Sequence, residues 1–462
     1  GLKRLEYRGY DSAGVAVIAQ QSHKLERLRI AGKVSELEVL YKNQPLNGQI
    51  GIAHTRWATH GKPVLRNAHP LYSHQQIAVV HNGIIENFAQ LRADLQAKGF
   101  EFQSETDTEV VAHLLYYQLQ QNTDMLTAIR QTKALLKGAY VLGIINEKLP
   151  DRLFAVRMSG PLVIGVGIGE HFIASDPLAL LPVTQRFIYL EEGDVAAISR
   201  DYVEIYDAQN QKVQRSVQQV DINSETGTKG RYRHFMLKEI HEQPETLAQT
   251  LKEHLIEDNL APEWLGPRAN EILAKIKRVH IVACGTSYHA GLVAKHWLEE
   301  NMRIGCTVEV ASEYRYRHPV VEANTLFVAI SQSGETADTL AALRQAKQLG
   351  YAGSIAICNV AQSSLVRETD LALLTRAGPE IGVAATKTFT AQLLALLLLS
   401  LHLGPPHTHK KDSLASLNKL PQLVRQTLAL EDQIQTLARM LADKQQALFL
   451  GRGIMFPIAL EG

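Results

Sequence analysis

The sequence predicts two mixed bodies in one chain: an α+β half of layered antiparallel sheets, then an α/β half built on a parallel sheet. Three observations carry that prediction. In residues 1–222 short apolar runs come in clusters and helical patterns come in pairs, which argues against a βαβ repeat. From residue 278 onward apolar runs and helical patterns alternate, as a parallel sheet with helices on both faces requires. Between them the chain turns polar over residues 223–247, with Gly227-Thr228-Lys229-Gly230-Arg231-Tyr232-Arg233-His234 ahead of a helical pattern at 239–243. That stretch reads as an interdomain linker, in a chain of 462 residues that is too long for one ordinary core.

Composition narrows the function. Lys and Arg total 48 against 47 Asp and Glu, a formal net charge of +1, so no global field recruits nucleic acid or an anionic membrane. A small molecule is the expected partner. The basic and aromatic residues around 231–234 form one short patch, too little for a nucleic-acid surface. The three cysteines, Cys284, Cys306 and Cys358, are odd in number and widely spaced, which points to a reducing compartment, not a disulfide framework. The most apolar run, residues 393–403, is too short to span a membrane and predicts a buried helix.

In the first half, patterning predicts strands over residues 13–20, 50–53 and 77–81, helices over 87–98 and 108–120, then strands over 140–145, 161–166, 172–174 and 187–190. Polar chemistry gathers at strand ends. In His54-Thr55-Arg56-Trp57-Ala58-Thr59-His60-Gly61, the fork of Arg56 suits a carboxylate. In His81-Asn82-Gly83, the Asn82 amide beside the Gly83 N–H makes a two-donor oxyanion hole. In Ser104-Glu105-Thr106-Asp107-Thr108-Glu109, Asp107 offers a carboxylate for an α-ammonium. Together they grip an amino acid by both ends. Each also has a plain alternative: Thr106 or Asp107 as a helix cap, Arg56 in a surface ion pair, Asn82-Gly83 as a turn. Histidines 54, 60, 69, 74 and 81 crowd one region but lack the helical spacing and cysteines of a zinc motif, so no metal is expected.

In the second half, strands are predicted over residues 279–284, 307–311, 326–330, 354–358 and 370–375. The stretch Ser331-Gln332-Ser333-Gly334-Glu335-Thr336 joins a strand to a helix, where unpaired N–H groups and the dipole favour an anion. It holds three hydroxyls and an amide and no Lys, which suits a phosphomonoester better than a nucleotide P-loop. Helix capping is the plain alternative for its Ser and Thr. Cys284-Gly285-Thr286-Ser287 follows an earlier strand in the same way, and Glu309 stands about twenty residues on, but the spacing is not that of a dinucleotide fingerprint. Residues 281–286 are echoed by Leu448-Phe449-Leu450-Gly451-Arg452-Gly453, which predicts a second strand and glycine turn beyond the helices of 413–443.

The runs Arg8-Gly9-Tyr10-Asp11-Ser12-Ala13-Gly14, 54–61, 81–83, 104–109 and 331–336 resemble the glutamine–fructose-6-phosphate aminotransferases, the glucosamine-6-phosphate synthases, over nearly the whole chain. The resemblance implies an N-terminal-nucleophile αββα sandwich at 1–222, a class II glutamine amidotransferase (glutaminase) domain. It implies a linker at 223–247, a three-layer α/β sugar-isomerase (SIS) domain at 248–405, connecting helices at 406–440 and the start of a second SIS domain at 441–462. By the same resemblance Arg56 holds the glutamine carboxylate and Asp107 its amino group, while Asn82 and Gly83 form the oxyanion hole. Thr59 and His60 belong to a closing loop, and Trp57 gates ammonia. Ser331, Gln332, Ser333 and Thr336 bind the phosphate of fructose 6-phosphate, Thr286 and Ser287 contact the sugar, and the Val383 segment lines the site. No cofactor is implied; the partners are L-glutamine, fructose 6-phosphate and a second copy in a cytoplasmic homodimer.

Three departures shape the expectation. The family's nucleophile is an N-terminal Cys, which this sequence lacks, so the polypeptide as written should bind glutamine poorly and not hydrolyse it. Ala385 stands where the family has Ser. The sequence stops at Ala459-Leu460-Glu461-Gly462, before the helix carrying the isomerising carboxylate and lysine, so sugar phosphate should bind without turnover. The rivals are a non-catalytic sugar-phosphate-binding regulator, which has no use for the glutamine grip, and another glutamine amidotransferase, which has none for the 331–336 loop.

Overall fold

The computed structural model describes residues 1–6, 9–121, 124–219, 229–261, 264–266, 268–405 and 410–462. Arg8 of the first motif, residues 223–228 of the expected linker and residues 406–409 of the connecting stretch lie outside them. The chain divides into Gly1–Thr228 and Lys229–Gly462.

In the first unit α1 (Leu2–Leu5) precedes β1 (Ser12–Ala19), β2 (Leu25–Ile30), α2 (Val34–Asn43), β3 (Gly48–Arg56), β4 (Leu71–Ser73) and β5 (Ile77–Ile85). Helices α3 (Phe88–Ala97), α4 (Thr108–Leu119) and α5 (Met125–Leu135) follow. Then come β6 (Gly138–Asn146), β7 (Leu153–Met158), β8 (Val163–Val166), β9 (His171–Ala174), β10 (Arg186–Tyr189), β11 (Val195–Ile198), β12 (Val203–Tyr206), β13 (Lys212–Val213) and β14 (Val217–Gln219). They make a seven-stranded sheet, β13-β12-β11-β7-β6-β5-β4, and two smaller ones, β2-β1-β3 and β14-β10-β8-β9. All pairs are antiparallel.

Period-two alternation explains the layers. Ile77 and Val79 of β5 enter a core with Leu91, Val111, Leu115 and Ile129 of α3–α5, while Ala78 and Val80 enter another with Ile18, Ile52, Ile164 and Ile188 of the smaller sheets. Beyond those sheets, Val34 and Leu37 of α2 pack with Leu28 of β2. The order of layers is therefore helices, sheet, sheets, helix: the αββα sandwich. Strands β2, β4, β7 and β11–β14 and helices α1, α2 and α5 were not expected. Strand β2 reads Leu-Glu-Arg-Leu-Arg-Ile, and its three charged residues hide it from an apolar-run criterion.

The second unit opens with α6 (Phe235–His254), the short hairpin β15 (Leu255–Ile256) and β16 (Asn259–Leu260), and α7 (Ala269–Leu273). Alternation then sets in: β17 (Arg278–Ala283), α8 (Gly285–His296), β18 (Gly305–Val310), α9 (Ala311–Tyr314), β19 (Thr325–Ser331), α10 (Ala337–Ala346), β20 (Gly353–Cys358), α11 (Ser364–Glu368) and β21 (Leu371–Leu374). Helices α12 (Lys387–Leu403), α13 (Lys410–Leu417), α14 (Leu420–Leu428), α15 (Glu431–Leu441) and α16 (Met455–Glu461) complete it. The sheet order is β18-β17-β19-β20-β21, all parallel. One face packs Ile281, Val328 and Ile355 against α6, α8 and α12; the other packs Val282, Phe327 and Ala356 against α9, α10 and α11. Because the chain leaves β17 on one side and returns as β19 on the other, their carboxyl ends form a topological switch point, where ligands of such sheets bind. Among the described residues no helix is long and apolar enough to cross a membrane.

The helical pattern expected at 239–243 within the linker is part of a longer helix, since α6 runs through Pro244 to His254. Proline removes the N–H that would serve the Ile240 carbonyl, and the Gln243 side-chain amide supplies that bond at 2.9 Å instead. The expected strand at 448–450 does not form: Leu448, Phe449 and Leu450 are 82%, 58% and 84% exposed, and a parallel strand without a neighbour has no ladder to join.

Candidate functional sites

Arg56 ends β3 and is only 3% exposed, so it is no surface ion pair. Its guanidinium reaches Asp11 Oδ1 at 3.4 Å and donates to the backbone carbonyls of His60, Gly61 (3.1 Å) and Lys62 (3.4 Å). The loop that follows β3 is thus wrapped around its own arginine. Asp107 occupies the N-cap position of α4 but its side chain makes no capping bond. Instead Oδ2 accepts from the Ile85 N–H at 2.9 Å, and His60 Nδ1 and His81 Nδ1 each lie 3.9 Å from the carboxylate.

Asn82 and Gly83 are not a turn: they pair with Val141 and Tyr140 across β5 and β6. Gly83 has φ +127°, and a Cβ there would fall 2.1 Å from the Ala139 carbonyl oxygen, so only glycine fits. The Asn82 Oδ1 lies 2.7 Å from His54 Nε2. Burial lowers the His54 pKa to about 4, so its ring is neutral at pH 7. A carboxamide oxygen only accepts, so with Oδ1 facing the ring its single proton sits on Nε2.

These side chains line a cavity of about 700 Å³ that takes in all seven residues singled out in this half: Arg56, Trp57, Thr59, His60, Asn82, Gly83 and Asp107. Trp57 is 67% exposed. The apolar part of the cavity runs between β3 and β9, each at the edge of its own small sheet. Histidines 54, 69 and 81, which the sequence shows only as part of a crowded region, are connected beneath it. His69 Nε2 and His81 Nδ1 share the Thr108 hydroxyl at 2.7 and 2.9 Å, and the His54 and His69 rings lie 4.6 Å apart. Burial holds both His69 and His81 below the usual imidazole pKa. Their positions lie on β3, on β5 and between, so only the sheet register brings them together.

The second cavity lies at the switch point. Its volume is about 210 Å³, and Thr286, Ser287, Ser331, Gln332, Ser333, Thr336 and Val383 line it with Cys284, Ile330, Thr339, Glu380, Gly382 and Ala385. Thr336 occupies the N-cap position of α10 but makes no side-chain capping bond; its hydroxyl lies 2.9 Å from that of Ser331, which also accepts from the Gly334 N–H at 3.0 Å. Gly334 has φ +66°, and a Cβ there would fall 2.0 Å from Ser363 Oγ. Glu335 accepts from the N–H and hydroxyl of Ser364 at 2.7 and 3.0 Å.

Among the described residues no Lys or Arg lines this cavity, while Glu380 does. Partial positive charge comes from helix starts: those of α8 and α10 border it, and Val383 and Ala385 lead into α12. The segment before α12 is clamped by carboxylates. Glu239 accepts from the N–H groups of Ile381 and Gly382, Glu380 from those of Thr386 and Thr388 at 2.8 and 3.2 Å, and Glu242 from buried Lys387 at 2.7 Å. Sequence reading missed Glu461. It ends α16, where it accepts from the Thr286 hydroxyl at 2.7 Å and lies 2.6 Å from His289 Nδ1.

Comparison with known proteins agrees in outline. A glutamine amidotransferase domain family matches residues 54–182 and a SIS domain family matches residues 272–401. The glutamine–fructose-6-phosphate aminotransferase (isomerizing) of Pseudomonas putida is 56% identical over 100% of this chain and 76% of its own length. That of Idiomarina loihiensis is 54% identical over the same shares. Among solved structures, the C-terminal domain of glucosamine-fructose-6-phosphate aminotransferase from Francisella tularensis is similar at 46% identity and a TM-score of 0.50, covering 51% of this chain and 67% of that one.

Proposed function

The chain belongs to the glutamine–fructose-6-phosphate aminotransferase (isomerizing) family, and on that premise we propose that its first cavity takes L-glutamine and its second takes fructose 6-phosphate. In the first, Asp107 meets the α-ammonium, Arg56 the carboxylate, and Asn82 with the Gly83 N–H the oxygen of the amide under attack. Arg56 now donates to the loop of 60–62, so glutamine binding exchanges those carbonyls for the ligand carboxylate and shifts Thr59 and His60. The attacking thiol of this chemistry is not among the lining residues. In the second cavity, neutral hydroxyls and helix N-termini hold the phosphate, Thr286 and Ser287 face the sugar, and Val383 forms the rim. Amination of the open-chain ketose followed by proton transfer between adjacent carbons gives glucosamine 6-phosphate. The reading includes a cytoplasmic homodimer.

The observation that carries this proposal is the convergence of seven expected residues on one cation-free cavity at a switch point. Calorimetric titration with fructose 6-phosphate, fructose and inorganic phosphate tests it. The phosphosugar should bind and fructose should not, and Ser333→Ala should weaken binding by about tenfold, the worth of one hydrogen bond to a charged group. A folded protein that ignores fructose 6-phosphate refutes the assignment.

A further inference from the structure

Thr339 lies on the first turn of α10, one turn beyond Thr336 and on the same helix face. It is 1% exposed, it lines the second cavity, and its hydroxyl has no hydrogen-bond partner. A helical threonine usually satisfies itself on the carbonyl four residues back. In this same unit Thr250 does so on Thr246 at 2.9 Å, Thr369 on Leu365 at 3.0 Å and Ser400 on Leu396 at 2.7 Å. Thr339 does not. A buried hydroxyl without a partner weakens the fold unless something else recovers the loss. Thr336, by contrast, is engaged with Ser331 at 2.9 Å. The unengaged donor in this corner of the cavity is therefore the deeper one, beside the first amides of α10, which have no intrahelical partner.

Resting on the phosphosugar reading, we propose that the Thr339 hydroxyl donates a hydrogen bond to a phosphoryl oxygen of the bound sugar phosphate. The ligand supplies the acceptor that the empty fold leaves out. A phosphate dianion offers only acceptors, so Thr339 must donate, and the contact reads the phosphate rather than the sugar. The hydroxyl thereby stores a small instability in the free protein and releases it on binding.

The test compares wild type, Thr339→Val and Thr339→Ser in the full chain, by calorimetric titration with fructose 6-phosphate and with inorganic phosphate and by thermal unfolding without ligand. Valine keeps the shape and removes the hydroxyl. It should weaken both ligands by about tenfold, while the ligand-free Tm holds or rises by roughly 2 °C. Serine should restore affinity to near wild type. The proposal is overturned if the valine variant binds both ligands within about twofold of wild type. It is equally overturned if binding falls together with Tm and serine does not rescue it, since that is a packing role. Wild type that binds neither ligand refutes the phosphosugar reading itself, a result distinct from the other two.

Discussion

The two cavities are built by opposite physical means. In the first, a full positive and a full negative charge, Arg56 and Asp107, are each 3% exposed and already engaged by the protein's own backbone. In the second, no cation is present and the donors are neutral hydroxyls and helix starts. A buried charge left alone would cost several kcal/mol, so the fold pairs it in advance and a ligand must displace those partners. In the second, Ser331, Thr336 and Thr286 are engaged only through hydroxyl hydrogen bonds, and Thr339, left alone, costs only about 1–3 kcal/mol. On the proposed reading the first site must therefore give up charged partnerships to bind, and the second only hydrogen bonds of neutral hydroxyls.

The strongest way to break this comparison is to strike one glycine in each cavity. Gly334→Ala puts a methyl carbon 2.0 Å from Ser363 Oγ at φ +66°; the 331–336 loop must move, and affinity for fructose 6-phosphate should fall by about 100-fold or more. Gly83→Ala puts one 2.1 Å from the Ala139 carbonyl oxygen, in the middle of the β5–β6 ladder. It should lower the unfolding temperature of the first unit, by roughly 3 kcal/mol of stability, while phosphosugar affinity stays within about twofold. Calorimetry and differential scanning calorimetry on both variants check the pair. If Gly83→Ala weakens phosphosugar binding as much as Gly334→Ala, the two cavities are not independent and the comparison fails.

What the sequence could and could not disclose follows from the same contrast. The second unit was legible because its strands are buried on both faces and read as continuous apolar runs, and because the site is built from loops that each lie within a few residues of sequence. Thr339 was legible in principle, three residues after Thr336 on one helix. In the first unit, the residues gathered around the cavity were visible as motifs, but their bonds were not. His54 meets Asn82, and His69 meets Thr108, only because sheet register carries β3, β5 and α4 together. Strand β2 was hidden by its three charged residues, and of α6 only the stretch 239–243 showed as a helical pattern. The apolar run at 448–450 had the composition of a strand but no partner to pair with.

Acid should separate the units next. The His54 pKa falls to about 4 in the fold against an ordinary 6.5, and those of His69 and His81 also fall. The unfolded chain therefore binds more protons below about pH 6.5, and stability complete above that pH is lost through His54 as pH falls toward 4, with His69 and His81 acting in the same direction. In the second unit His254 and His280 are lowered too, but burial raises the pKa of Glu239, which gains stability as pH falls and offsets part of the loss. Scanning calorimetry at pH 7, 6 and 5 should show the first unit's transition dropping more steeply. Parallel shifts of both transitions would mean that the buried histidines of the first unit are not held neutral.

The smallest effect sharpens the comparison from within the second site. Thr286, which we propose faces the sugar, is engaged through Glu461 at 2.7 Å, and Glu461 is held in turn against His289 at 2.6 Å. Glu461→Gln keeps the shape and one acceptor oxygen but removes the charge, so the Thr286 hydroxyl bond should weaken and not vanish. If the comparison holds, loosening this one internal contact makes Thr286 easier to recruit, and fructose 6-phosphate should bind no worse than wild type and up to about threefold tighter. The unfolding temperature of the second unit should drop slightly, since α16 loses its charge-assisted contact with α8. A variant that instead loses phosphosugar affinity would show that Thr286 is useful only while Glu461 holds it, and the second cavity would then share the first one's dependence on partners engaged in advance.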